Sequence, residues 1–170
     1  GEDWDIRVGG RQFSVFGYKS SEKRITAETD SATITDGVCT HVMSWTRDNP
    51  ATDANSKLNI DSMDFSADAD TKIALVVNAD VSGTTYNKPE LVAEEETLLG
   101  VSTAGTFNGI GAGTKVWEGH LNVGSTGNAQ AAMDADVDVR FGQNTVMSLI
   151  VQGLGESGDG TSTIRMAEDW

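Results

Sequence analysis

The sequence predicts an all-β chain folded as an antiparallel two-sheet β-sandwich. Three observations carry that expectation. Apolar residues recur with a period of two through most of the chain, as strands with one covered face require. Clusters of Gly, Asp, Asn and Ser separate these runs at short spacing. Helix signals are confined to Pro89–Leu99, where Pro89 opens, Glu90 and Glu94–Glu96 follow, and Gly100 stops a segment of about one to three turns. A length of 170 residues suits one domain spanning 1–170, with enough apolar surface for a closed core. Glu-Asp-Trp occurs at 2–4 and again at 168–170, but the flanks differ, so it is not a structural repeat.

About ten strands follow from the pattern. Trp4, Ile6 and Val8 alternate before Gly9-Gly10, and Phe13–Tyr18 is apolar on both faces. Ser31–Thr35 and Val38–Thr46 flank Asp36-Gly37, a two-residue hairpin signal. Cys39 lies in the second of these runs and reads as a small buried hydrophobe. As the single cysteine, it excludes an internal disulfide. Leu58 and Ile60 share one parity while Met63 and Phe65 share the other. A bulge near Asp61-Ser62 brings all four to one face. Ile73–Ala79 and Lys115–Val123 read as buried strands. Met133–Phe141 alternates cleanly, with Asp134, Asp136, Asp138 and Arg140 outward. Its expected partner is Thr145–Gln152 across Gly142-Gln143-Asn144, a strand apolar on both faces and so more central. Thr161–Met166 is the last strand. The expected core is Phe13, Ile34, Met43, Trp45, Leu58, Ile60, Leu75, Val77, Trp117, Leu121, Val137, Val139, Leu149, Val151 and Ile164.

Net charge is −14, from 26 acids against 12 bases. Nucleic-acid binding needs clustered bases that release counterions, and here Lys23-Arg24 is the densest pair, so direct nucleic-acid contact is not expected. Membrane insertion is not expected either, because the longest apolar run is Ile73–Val77. No opening segment has the pattern of a signal peptide. Asp outnumbers Glu 16 to 10 and there are only six Lys. Short hydrated carboxylates with few long cationic stems suit a protein dissolved in concentrated salt, where their repulsion is screened.

The residues declare no catalytic constellation. His41 and His120 stand in separate strands without the spacing of a zinc site. His41 shares the parity of Met43 and Trp45 and reads as a partly buried histidine; His120 faces the other layer. Gly153–Gly158 lacks the glycine spacing of a nucleophile elbow. Gly109–Lys115 has Gly-Thr-Lys where a phosphate loop needs Gly-Lys-Thr. Asp64–Asp70 and Glu156–Asp159 put hard oxygens in loops, as calcium requires, without the twelve-residue calcium-loop pattern. The default for both is a solvated acidic loop. The chain is therefore expected to be no enzyme, with no cofactor and no metal ion.

The strand run from Lys115 to the end, the Asp-rich strand at 134–138 and the final Ile164–Trp170 give the chain a likeness of pattern to a known family. It resembles the single jelly-roll major capsid proteins of icosahedral viruses with an internal membrane, of haloarchaeal type, with thermophilic-phage relatives. The resemblance implies a jelly roll, a virion location, self-association into capsomers and a second capsid protein as partner. Contacts between copies are then expected at Trp4, Ile6, Met166 and Trp170, because terminal segments with alternating apolar residues and a Trp are poorly used unless they dock. The alternative is a carbohydrate- or cation-binding β-sandwich module of a secreted or surface protein. That reading expects Trp45 or Trp117 to face solvent as a platform, whereas the capsid reading expects both buried. From charge density, the thermal midpoint should rise between dilute buffer and molar KCl. A flat or falling midpoint would remove the salt-adapted reading.

Overall fold

The computed structural model describes residues 23–47, 57–89, 97, 99–123, 129–133, 137–140 and 145–169. Twelve strands run through them: β1 Lys23–Ile34, β2 Cys39–Arg47, β3 Lys57–Ala67, β4 Thr71–Val77, β5 Asp80–Ser82, β6 Leu99–Ser102, β7 Thr106–Gly109, β8 Thr114–Leu121, β9 Ala129–Met133, β10 Val137–Arg140, β11 Val146–Gly153 and β12 Gly158–Asp169. One five-stranded sheet has the order β1-β12-β3, with β10 and β9 both on the far side of β3. The other has the order β6-β2-β11-β4-β8, and β5 pairs β7 in a small separate sheet. All the strand pairings are antiparallel. From β1 to β4 the chain changes sheet at every step, and from β8 to β12 it does so at every step but that from β9 to β10, which both pair with β3. That interleaving is the jelly roll, a two-sheet sandwich that closes distant strands against one another.

The inner faces of the two sheets supply the core, in which Trp45, Phe65, Met43, Leu75, Met147 and Leu149 have no solvent access. Side chains opposite one another across a ladder share a face. Trp45 accordingly stands opposite Met147, and Leu149 stands between Met43 and Leu75. The bulge expected near Asp61-Ser62 is present: Arg165 faces Ser62 and Met166 faces Ile60, leaving Asp61 as the extra residue. Ile60, Met63 and Phe65 are all buried as a result. β11 is buried almost throughout, and it lies between β2 and β4 as its two apolar faces predict.

Several expectations are corrected. Asp36-Gly37 does form a turn, with Val38 N–H donating to Thr35 O at 3.2 Å. It does not join a continuous hairpin, because β1 and β2 enter different sheets beyond Thr35 and Val38. Nor do β10 and β11 pair. β10 lies on β3, and the Met133–Phe141 run is divided between β9 and β10. Lys115–Val123 is not a buried strand: among the described residues β8 is an edge of its sheet, and most of its residues are exposed. Cys39 is exposed, since β2 begins there, directly after the corner turn. A bulge leaves Val42 unpaired between His41 and Met43, which moves His41 off the row of Met43 and Trp45. Val77 and Trp117 are only partly buried, packed against the core. Phe13, the strands before Lys23, most of the Pro89–Leu99 helix segment and the side chains of Leu58, Val137 and Val139 lie outside the described residues.

Phe65 touches the site of Gly160, where an added Cβ would come within 2.7 Å of its ring. Phe65→Ala should therefore leave a cavity between the sheets and cost about 3–5 kcal/mol in urea denaturation. Arg165→Ala, on the exposed face of β12, should stay within about 0.5 kcal/mol.

Candidate functional site

At one end of the sandwich, the β1–β2 turn, the β3–β4 turn, the segment after β8 and the β11–β12 loop converge. Their acids are used on the protein's own backbone. Asp36 Oδ1 accepts from Gly155 N–H at 2.8 Å, and Asp36 N–H donates to Ser157 Oγ at 2.9 Å. Asp68 Oδ1 accepts from Asp159 N–H at 2.7 Å, and Asp68 N–H donates to Asp159 O at 3.1 Å. Asp70 Oδ1 accepts from Val123 N–H at 2.8 Å, while Glu156 Oε2 accepts from Asp70 N–H at 3.0 Å. A carboxylate that accepts a backbone N–H forms a stronger bond than a neutral acceptor does. Each acid therefore ties a loop that is distant in sequence. Gly158 is required here, because a Cβ would lie 2.1 Å from Asp68 Oδ1.

The two acidic segments considered for calcium do meet, through Asp68–Asp70 and Glu156–Asp159. Asp64 does not join them. It lies on β3, with Arg165 Nη1 3.9 Å from its carboxylate. Among the described residues, no group of three or more acids, histidines or cysteines is arranged to hold a metal ion. Beside the loop end, a trough of about 480 Å³ crosses β1, β12 and β3, lined by Ser31, Thr33, Thr161 and Ser66 with Asp68 and Asp159.

Two large apolar side chains project from the loop end: Val38 is 51% exposed and Leu154 39%. Among the described residues, the other exposed ones, Ile110 and Val116, lie in the β7–β8 connection and on β8. Val116 is the extra residue of an edge bulge, between Lys115 opposite Val76 and Trp117 opposite Leu75. On the same strand Glu118 accepts from Lys115 and, at 3.0 Å, pairs with Lys72; His120 Nε2 is 3.7 Å away. Hydrogen bonds from Lys115 and Lys72 hold the Glu118 carboxyl down at about 2.

Of the residues expected at contacts, Met166 belongs to the domain's own core: it is fully buried, on a strand enclosed by β1 and β3. That corrects the expected contact role of Met166. Trp4, Ile6 and Trp170 lie outside the described residues. Trp45 is fully buried and Trp117 packs against the core, so Trp45 forms no solvent-facing platform. Sequence reasoning missed the ties of Asp36 and Ser157. It also missed a buried line from His41 Nε2 to Ser44 Oγ and on to Ser148 Oγ, each step 2.7 Å.

The fold and this site define a jelly-roll domain with a self-tied acidic loop end. No family model matches the chain, and no curated protein does. Among solved structures it is similar to a chain of the infectious bursal disease virus VP2 subviral particle. The identity is 8% and the TM-score 0.18, over 92% of this chain and 46% of that one. The chain thus spans about half the length of that protein, and a likeness at this TM-score carries no argument.

Asp68→Ala should lower stability by about 1 kcal/mol, as the tie to Asp159 N–H is lost at an exposed site. Asp68→Asn, which keeps an acceptor oxygen, should recover most of that loss. Urea denaturation of the two variants beside the parent measures it, and equal losses would contradict the acceptor role.

Proposed function

We propose that the chain is a structural subunit of an icosahedral capsid, of the single jelly-roll type found in viruses with an internal membrane. It self-associates into capsomers, works beside a second capsid protein and resides in the virion. It performs no catalysis, needs no cofactor, and neither contacts nucleic acid directly nor inserts into a membrane. One observation carries the reading. The acids that would make a ligand site at the loop end accept from the protein's own backbone, while Val38 and Leu154 stand exposed between them.

Such an end is rigid and chemically quiet, and it is apolar at its tips: the properties of a contact surface. The acids keep a free copy soluble, and salt that screens them lets the apolar tips close on a neighbour. Trp4, Ile6 and Trp170 remain proposed contacts as well. A contact that holds in an assembly buries about 800 Å² per partner, far more than two side chains, so the tips act as anchors within a larger surface.

Native mass in molar KCl tests the reading, with a large regular assembly expected. A monomer at every concentration would overturn it, and sugar binding by that monomer would favour the carbohydrate module. The double variant Val38→Asp, Leu154→Asp should keep the parent's stability within about 0.5 kcal/mol per site and fail to assemble. Unchanged assembly would remove the loop end from the contact.

A further inference from the structure

His41 is 7% exposed, in a chain whose other histidine, His120, is largely solvated. The bulge at Val42 sets His41 opposite Ile150, next to the buried Ser44–Ser148 pair. Its Nε2 engages Ser44 Oγ, and Nδ1 has no hydrogen-bond partner. A neutral ring with the proton on Nε2 suits this place. It donates to Ser44, Ser44 donates to Ser148, and only a lone pair on Nδ1 goes unused. A protonated ring does not, because it adds both a charge and an N–H that meets no acceptor.

Gly105 lies against the imidazole on its Nδ1 side, and Val81 lies against Gly105. A Cβ at Gly105 would lie 3.0 Å from Nδ1 and 2.9 Å from Val81 Cγ1, so backbone and ring are in close contact. Gly105 directly precedes β7, and Val81 belongs to β5, where it pairs with Phe107. The β5–β7 sheet has three and four residues in its strands and belongs to neither main sheet. A two-stranded sheet of that length is not stable by itself and depends on the surface beneath it.

We propose that protonation of His41 releases the β5–β7 flap, making it an acid-operated element on the outer face of the β6-β2-β11-β4-β8 sheet. Among the described residues no neighbouring charge compensates, and burial alone sets the shift of the ring. The titratable groups on the surrounding elements are Cys39 and Arg47 on β2, Lys72 on β4 and Asp80 on β5; β6, β7 and β11 carry none. Burial pushes the closed-state imidazole below its ordinary 6.5, whereas an opened flap returns it to solvent. The open state then binds the proton more readily. Closure is fully favoured above the ordinary value and weakens as pH falls below it, by up to about tenfold per pH unit.

Hydrogen exchange of the full chain in molar KCl, corrected for the intrinsic pH dependence, tests this at the amides of 80–82 and 106–109. Between pH 7.0 and 5.0 their exchange should rise severalfold, by no more than about tenfold per pH unit, while the amides of β11 stay protected. His41→Gln can still bond Ser44 but cannot ionise, and it should reduce the rise to less than about twofold. His120→Gln should leave the rise intact. Should His41→Gln fail to fold, the ring protons of His41 followed by NMR in the parent decide. Titration below 6.5 together with flap exchange supports the proposal. An ordinary titration, or flap exchange that does not follow it, overturns the proposal, as does an undiminished rise in His41→Gln.

Discussion

Everything in this fold waits on β11 and β12. β11 separates β2 from β4, and β12 separates β1 from β3. Without them each sheet falls into pieces that share no backbone hydrogen bonds. Lys23 pairs with Asp169 and Thr46 with Val146, so these contacts close nearly the whole chain. Loop closure of that span costs entropy before any burial compensates, and topologies of this kind fold slowly. The reward comes when Met147, Leu149, Ile164 and Met166 enter the space between the sheets. Shortening the chain at its end therefore attacks the core: a deletion from Met166 onward removes a buried side chain, not a tail.

The acidity of the chain is usually a statement about its surface, yet several acids here are structural. Asp36, Asp68, Asp70 and Glu156 stitch loops that sequence keeps far apart. Glu168 goes further, for it is buried and accepts a hydrogen bond from the Thr97 hydroxyl. Each such acid still carries its charge, because a neutral backbone N–H bonds a carboxylate without cancelling it. Salt screens that charge, yet the loop end keeps its shape whether or not salt is present, because its bonds are short-range.

What could be read from the residues was parity, and what could not was partnership. The change of parity between Ile60 and Met63 located the Asp61 bulge, because a strand that buries one face must absorb the extra residue. The two apolar faces of Val146–Val151 located a central strand. Asp36-Gly37 marked the turn, but a turn does not state which sheet each arm joins, and the hairpin assumption failed there. Cys39 and the β8 residues carry the same apolar signal inside a sheet or at its rim, so edge status escaped the pattern. Bulges at Val42 and Val116 are invisible without a paired strand to count against. At the loop end the acids were conspicuous, but their N–H donors belong to backbone, which every residue carries, so composition pointed to a cation where geometry supplies the chain itself.

The sheet edges explain why contacts between copies, as proposed, belong at the ends of the domain. β1 is a long strand with one unpaired side among the described residues, a template for open-ended pairing. Glu28 stands opposite Ile164 and Asp30 opposite Ser162, residues of the buried face, so both acids belong to the inward row of an edge strand. Burial raises the Asp30 carboxyl above its ordinary value, which is the cost of keeping a charge there. A second strand laid along β1 would deepen that burial and bring further charge to it. At one rim of the other sheet the bulge at Val116 interrupts the ladder of β8, and Lys115, Glu118 and His120 line it. These two edges thus resist growth by sheet extension. Attraction is left to surfaces that complement at a fixed angle, and contacts of that kind close into rings and shells where edge pairing would run on into fibres.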